Sequence, residues 1–112
     1  MKKRILFVAV IFSLISLSFT AKAEVKKASF KVSGNCGMCE KTIESAAKAV
    51  EGVLSADWDK KTKKMVLSFD TEKTTLHAVH KAIASVGYDT DKVKANDDVY
   101  SRLHSCCKYE RE

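Results

Sequence analysis

Two stretches of helical spacing, each closed by a glycine, divide residues 28–93 into six segments, and that alternation leaves the chain few folds to adopt. Ile43, Ala46, Ala47 and Val50 recur at helical intervals ahead of Gly52, as do Leu76, Val79, Ile83 and Val86 ahead of Gly87. Between and around them the period drops to two. Residues 28–32 alternate apolar with polar, as do Leu54, Ala56 and Trp58, and then Met65, Leu67 and Phe69. Residues 59–64 read as a hairpin turn, Thr74 as the N-cap of the second helix, and residues 88–93 as a last short strand. The order β-α-β-β-α-β predicts an α+β ferredoxin-like sandwich: an antiparallel four-stranded sheet with two helices on one face, and a short C-terminal extension.

Residues 1–23 stand outside that pattern. Lys2, Lys3 and Arg4 precede a mostly apolar run over residues 5–19, and Ala21-Lys22-Ala23 supplies a small-x-small cleavage pattern. This is the layout of a secretory signal peptide cut before Glu24. The apolar run is shorter than the roughly 20 residues that span a bilayer, so no membrane insertion is expected after cleavage. The expected division is a signal peptide over 1–23, one domain over 24–95 and an extension over 96–112, with export to the periplasm. Losing the four basic residues of the first segment leaves 16 Lys and Arg against 14 Asp and Glu. The formal charge of +6 therefore belongs mainly to the targeting segment. What remains lacks the clustered basic footprint of a nucleic-acid-binding domain.

All four cysteines follow residue 24, as Cys36 with Cys39 and Cys106 next to Cys107. In an exported protein an even number first suggests disulfides. A Cys-x-x-Cys can also be half a zinc site, a redox pair or a two-thiolate site for a soft ion. Cys36 falls on a loop and Cys39 in the first turn of a helix, where free N–H groups and the helix dipole favour thiolate. Two thiolates suit a soft d¹⁰ ion: Cu(I) first, with Hg(II) and Ag(I) of the same kind. Zn(II) would want four ligands, and the loop offers no carboxylate to complete them. A thiol–disulfide redox protein is the main alternative, though such enzymes usually set a proline against the pair and this chain has none. A protein-interaction module is the other.

Val32-Ser33-Gly34, Cys36-Gly37-Met38-Cys39, Ile43-Glu44, Gly52-Val53, Phe69-Asp70, Ala82-Ile83 and Gly87-Tyr88 together resemble the heavy-metal-associated domain family over about residues 26–94. That family includes copper chaperones, metal-binding modules of copper-pumping ATPases and the periplasmic mercury-binding protein. The loop departs from the family's usual Gly-Met-Thr-Cys-x-x-Cys, because Gly34-Asn35-Cys36 is one residue shorter and Met38 lies between the cysteines. It is most similar to an exported variant with a C-terminal Cys-Cys. The resemblance implies a metallochaperone or sequestering protein, not an enzyme, with Cys36 and Cys39 as ligands and Tyr88 as an aromatic shield. A cysteine-bearing membrane metal pump or efflux protein would be its partner.

The extension carries His104, Cys106 and Cys107, which read either as a secondary set of ligands or, for the two cysteines, as disulfide partners of other cysteines, since adjacent cysteines rarely bond to each other. A last strand running away from the metal loop, followed by a helix beginning near Asn96, would hold Cys106 far from Cys36. A shared four-thiolate site is therefore not the favoured arrangement. His77 and His80 share one side of the second helix and offer another place for the tail to complete a site, though two histidines without a ligand role are the simpler reading. The lysines at residues 60–64 read as a solvated hairpin tip before they read as a docking patch.

Overall fold

The computed structural model describes residues 24–111. The proposed signal segment lies outside the described residues. Among those described, no helix is long and apolar enough to cross a membrane.

Three strands form one antiparallel sheet: β1 (Val25–Lys31), β2 (Val53–Trp58) and β3 (Lys64–Asp70), in the order β1-β3-β2. β1 pairs with β3 from Val25 opposite Asp70 to Lys31 opposite Lys64. A register shift between Val53 and Ser55 interrupts the β2–β3 pairing and leaves Leu54 exposed. The alternation seen in the sequence fixes which face is covered. Phe30, Ala56, Trp58, Met65, Leu67 and Phe69 are buried, while Lys27, Ser29, Ser55, Asp57 and Val66 on the opposite face meet solvent.

Helices α1 (Gly37–Lys48) and α2 (Leu76–Ser85) lie on the apolar face and pack against each other. Cys39, Ile43 and Ala47 of α1 are buried, as are Val79, His80, Ile83 and Ala84 of α2. The cap of α2 is Thr75 rather than Thr74: Thr75 is extended and its Oγ1 accepts the N–H of Ala78 at 3.2 Å. At its other end Gly87, with φ of +109°, donates to the Ala84 carbonyl, and Tyr88 donates to that of Ile83. This paired arrangement is the glycine-terminated helix end anticipated from the sequence, and it turns Tyr88 into the core.

The fourth strand does not form as a strand. Val32 and Thr90 make an isolated antiparallel bridge on the free side of β1, with Ser33 donating to Asp89 and Asp91 donating to Lys31. Thr90 stops the ladder because its Oγ1 accepts the N–H groups of Lys92 (3.2 Å) and Val93 (2.9 Å), closing a tight turn. Asp89 then pulls the chain back by accepting the N–H of Ala95 at 2.7 Å. A short helix α3 (Asp97–Ser101), capped by Asn96, and a 3-10 turn (Ser105–Cys107) bring the chain end onto the core. Cys107 and Tyr109 are part of that core. The expectation of a tail held at the far edge is corrected here, since the return begins at Thr90, before a full strand could carry the chain away.

Candidate metal centre

Cys36 is the N-cap of α1, in extended conformation, and Cys39 is the third residue of the helix. The approach is narrow because a Cβ on Gly34 would come within 2.9 Å of the Trp58 ring, so a glycine is required where the loop crosses it. That ring is fixed by its own Nε1–H, which donates to the Val32 carbonyl at 3.0 Å. The loop is thus seated on the core before its cysteines are presented.

Cys36 Sγ lies 3.4 Å from Cys39 Sγ, 3.7 Å from Cys106 Sγ and 3.9 Å from Cys107 Sγ. Cys106 and Cys107 are 4.0 Å apart, sulfur to sulfur. The structure therefore brings together the two pairs that the sequence kept apart. All four are free thiols; Cys39 and Cys107 are buried, Cys36 is half-buried and Cys106 is exposed. Among the described residues, Cys36, Cys106 and Cys107 are the one group of three or more His, Cys, Asp or Glu side chains whose ligand atoms all lie within 4.8 Å of one another.

The local field separates these thiols. The amide of Cys39 and then its thiol pull the Cys36 pKa down to about 6, with burial opposing and the Cys106 thiol and the Met38 amide adding to the fall. These amides face the sulfur at a helix start without completing a hydrogen-bonded cap. Cys107 moves the other way: burial, then the neighbouring Cys39 thiol, push it up to about 12 against a favourable contact from Tyr88. Burial and the Cys107 thiol likewise raise Tyr88 far above its ordinary value, so its phenol remains a neutral O–H facing the sulfurs of Cys39 and Cys107. The helix start thus favours the charged form of Cys36, and burial favours the neutral form of Cys107.

Residues that the sequence did not mark for function hold the tail in place. Tyr109 Oη donates to the Gly87 carbonyl (2.8 Å) and accepts the Asp89 N–H (2.9 Å). Arg111 grips Asp89 and Asp97 and lies 4.7 Å over the Tyr100 ring, whose hydroxyl donates to the Tyr109 carbonyl. Leu103 rests on Gly87. The available signal was Tyr100, Tyr109 and Arg111 in the extension, side chains able to anchor it.

The histidines lie elsewhere. His104 is exposed and starts the 3-10 turn, its carbonyl accepting the Cys107 N–H at 2.8 Å. His77 is exposed. His80 is buried, with Nδ1 2.6 Å from Thr90 Oγ1 and its ring 4.1 Å from that of Phe30. Met38 is 49% exposed.

The family profile described as the heavy-metal-associated domain matches residues 29–89, just over half the chain and none of the tail. The chain is 43% identical over 54 residues to a mercuric transport protein periplasmic component from Shewanella putrefaciens, covering 48% of this chain and 59% of that protein. It is 33% identical over 55 residues to the copper chaperone CopZ of Staphylococcus aureus, covering 49% of this chain and 81% of the other. The match thus spans about three fifths of the length of the mercuric transport relatives. Among solved structures, that of oxidized MerP from Ralstonia metallidurans CH34 superposes with a TM-score of 0.58 at 32% identity, over 61% of this chain and 96% of that one.

Proposed function

Because this chain belongs to the heavy-metal-associated domain family, we propose that it binds a soft heavy-metal ion at Cys36 and Cys39 and passes it to a cysteine-bearing partner. The observation that carries this reading is the sulfur pair at the start of α1, 3.4 Å apart, with Cys36 lowered to about 6. At neutral pH such a site offers a thiolate without waiting for a base. A polarisable d¹⁰ ion gains most from sulfur ligands, so Cu(I) is the cargo we assign first, with Hg(II) and Ag(I) as chemical equivalents. Relatives named for copper and for mercury support that class.

The role is carriage, not catalysis. A partner thiolate attacks the bound ion, a cysteine of this chain leaves, and the ion crosses without being released to water. Cys36 is half-buried and its loop faces outward, which leaves such an attack open. A metal-transporting membrane pump or efflux protein with its own cysteines fits as partner. Residues 1–23 are read as an export signal, placing residues 24–95 and their tail in the periplasm, in keeping with relatives named as periplasmic components. We read the fold as ferredoxin-like with its last strand shortened to the Val32–Thr90 bridge.

An anaerobic competition titration with Cu(I) and Zn(II) tests this reading. Changing Cys36 and Cys39 together to serine should weaken Cu(I) binding by more than about 100-fold, beyond the 10–100-fold cost of disturbing groups that only support a ligand. Undiminished Cu(I) affinity in that variant refutes the assignment.

A further inference from the structure

We propose that the tail completes the site: Cys106 and Cys107 ligate the same ion as Cys36, so that the cargo is held by at least three sulfurs rather than two. This rests on the reading of Cys36 and Cys39 as a soft-ion site, and it adds ligands that lie outside the part of the chain matched to the family.

Spacing carries the inference. With a metal–sulfur bond of about 2.3 Å, two sulfurs on opposite sides of an ion stand about 4.6 Å apart, whereas three around one in a plane stand about 4.0 Å apart. The sulfurs of Cys36, Cys106 and Cys107 form a triangle with edges of 3.7, 3.9 and 4.0 Å. Cys36 and Cys39, at 3.4 Å, are well short of the linear separation and would have to open to reach it. The triangle is already the size of a three-coordinate site.

The tail is also built to stay there. Cys107 is 2% exposed and belongs to the core. Tyr109 and Arg111, beyond it in sequence, tie the chain back to Gly87 and Asp89. Cys106 and Cys107 are poorly suited to bond to each other, because a disulfide between adjacent residues is strained. They are better placed as ligands than as a bridge. Cys106, the exposed member, leaves the site open on one side for an incoming thiolate.

A third thiolate supplied from within holds the ion until a partner displaces it, which slows loss to competing chelators while still allowing exchange. Ions that accept three thiolates, Cu(I) and Hg(II) among them, are the ligand class.

X-ray absorption on the Cu(I)-loaded protein counts the sulfurs directly. The expected result is three or more in the wild type and two in a Cys106→Ser/Cys107→Ser variant, which should still bind Cu(I) but release it at least about tenfold faster to a chelator, no less than the cost of disturbing groups that only support a ligand. Cys106→Ser alone, at an exposed position that does not disturb the core, should also lower the count. Two sulfurs in the wild type, or an unchanged count in both variants, overturns the inference and leaves the Cys36–Cys39 assignment intact. Loss of all Cu(I) binding in a Cys36→Ser/Cys39→Ser variant tests only the latter.

Discussion

Arg111 closes a loop of 22 residues by meeting both carboxylate oxygens of Asp89, its Nε 3.1 Å from Oδ2 and its Nη2 2.9 Å from Oδ1. Neither side chain is far from the core, with side-chain exposures of 19% and 10%. Burial alone would raise the Asp89 carboxyl, but Arg111 and the Ala95 N–H more than offset it and hold it below the usual carboxylate range. With Tyr109, the pair helps hold Cys106 and Cys107 beside Cys36.

Replacing Arg111 with alanine should cost about 1–3 kcal/mol, the range for a charge-assisted hydrogen-bonded pair with one partner left behind. Urea unfolding would report this as a lower midpoint with little change in slope. Amide exchange should quicken around the 3-10 turn (Ser105–Cys107) and remain slow in β3. Equal quickening throughout would contradict a clamp confined to the tail.

His80 makes the fold sensitive to mild acid. Burial, followed by the nearby His77 and Lys92 charges and opposed by Asp91, holds its pKa below the ordinary 6.5. The unfolded chain thus takes up a proton near 6.5 that the folded chain resists until lower pH. Stability from this group is complete above that value and is lost as the pH falls through the folded pKa. The urea midpoint of the wild type should drop between pH 7 and pH 5, and that of His80→Gln should be flatter across the same window. Parallel curves would remove His80 as the cause.

In the reduced, metal-free protein Cys36 should react with iodoacetamide at half its limiting rate near pH 6, the value set by the Cys39 amide and thiol. Cys107, raised to about 12, should remain unmodified under the same conditions. Peptide mapping after brief labelling separates the two. A half-maximal rate near 9, the ordinary thiol value, would contradict the claim that the helix start activates Cys36.

Gly87 has φ of +109°, where a side chain is strained, and a Cβ there would sit 2.9 Å from Leu103 Cδ2. The Leu103 methyl can move; the backbone cannot. Gly87→Ala should therefore destabilise by about 1–3 kcal/mol, measured by urea unfolding. The change should also displace Tyr88 and Tyr109, both tied to this turn, and so alter tyrosine fluorescence.

The helices and three strands were legible because each buries one periodic stripe: Ile43 and Ala47, Val79 and Ile83, and the alternating residues of β3. The place of Cys36 and Cys39 at a helix start was legible from the spacing of the apolar residues that follow them. The fourth strand was misread because residues 88–93 have acceptable strand composition, and nothing in a period of two reveals that the Thr90 hydroxyl will take the two amides that end the ladder. That one turn misplaced the tail. Bringing Cys106 to within 3.7 Å of Cys36 depends on contacts between residues far apart in sequence, Arg111 with Asp89 and Tyr109 with Gly87, which no local pattern encodes.

The central claim is that Cys36 and Cys39 capture a soft ion. Native mass spectrometry of the reduced protein with one equivalent of Cu(I) measures that capture directly. One ion per chain in the wild type, and a clearly lower occupancy in the Cys36→Ser/Cys39→Ser variant when both face the same competing Cu(I) chelator, is the predicted result. Equal occupancy in the two proteins would contradict it.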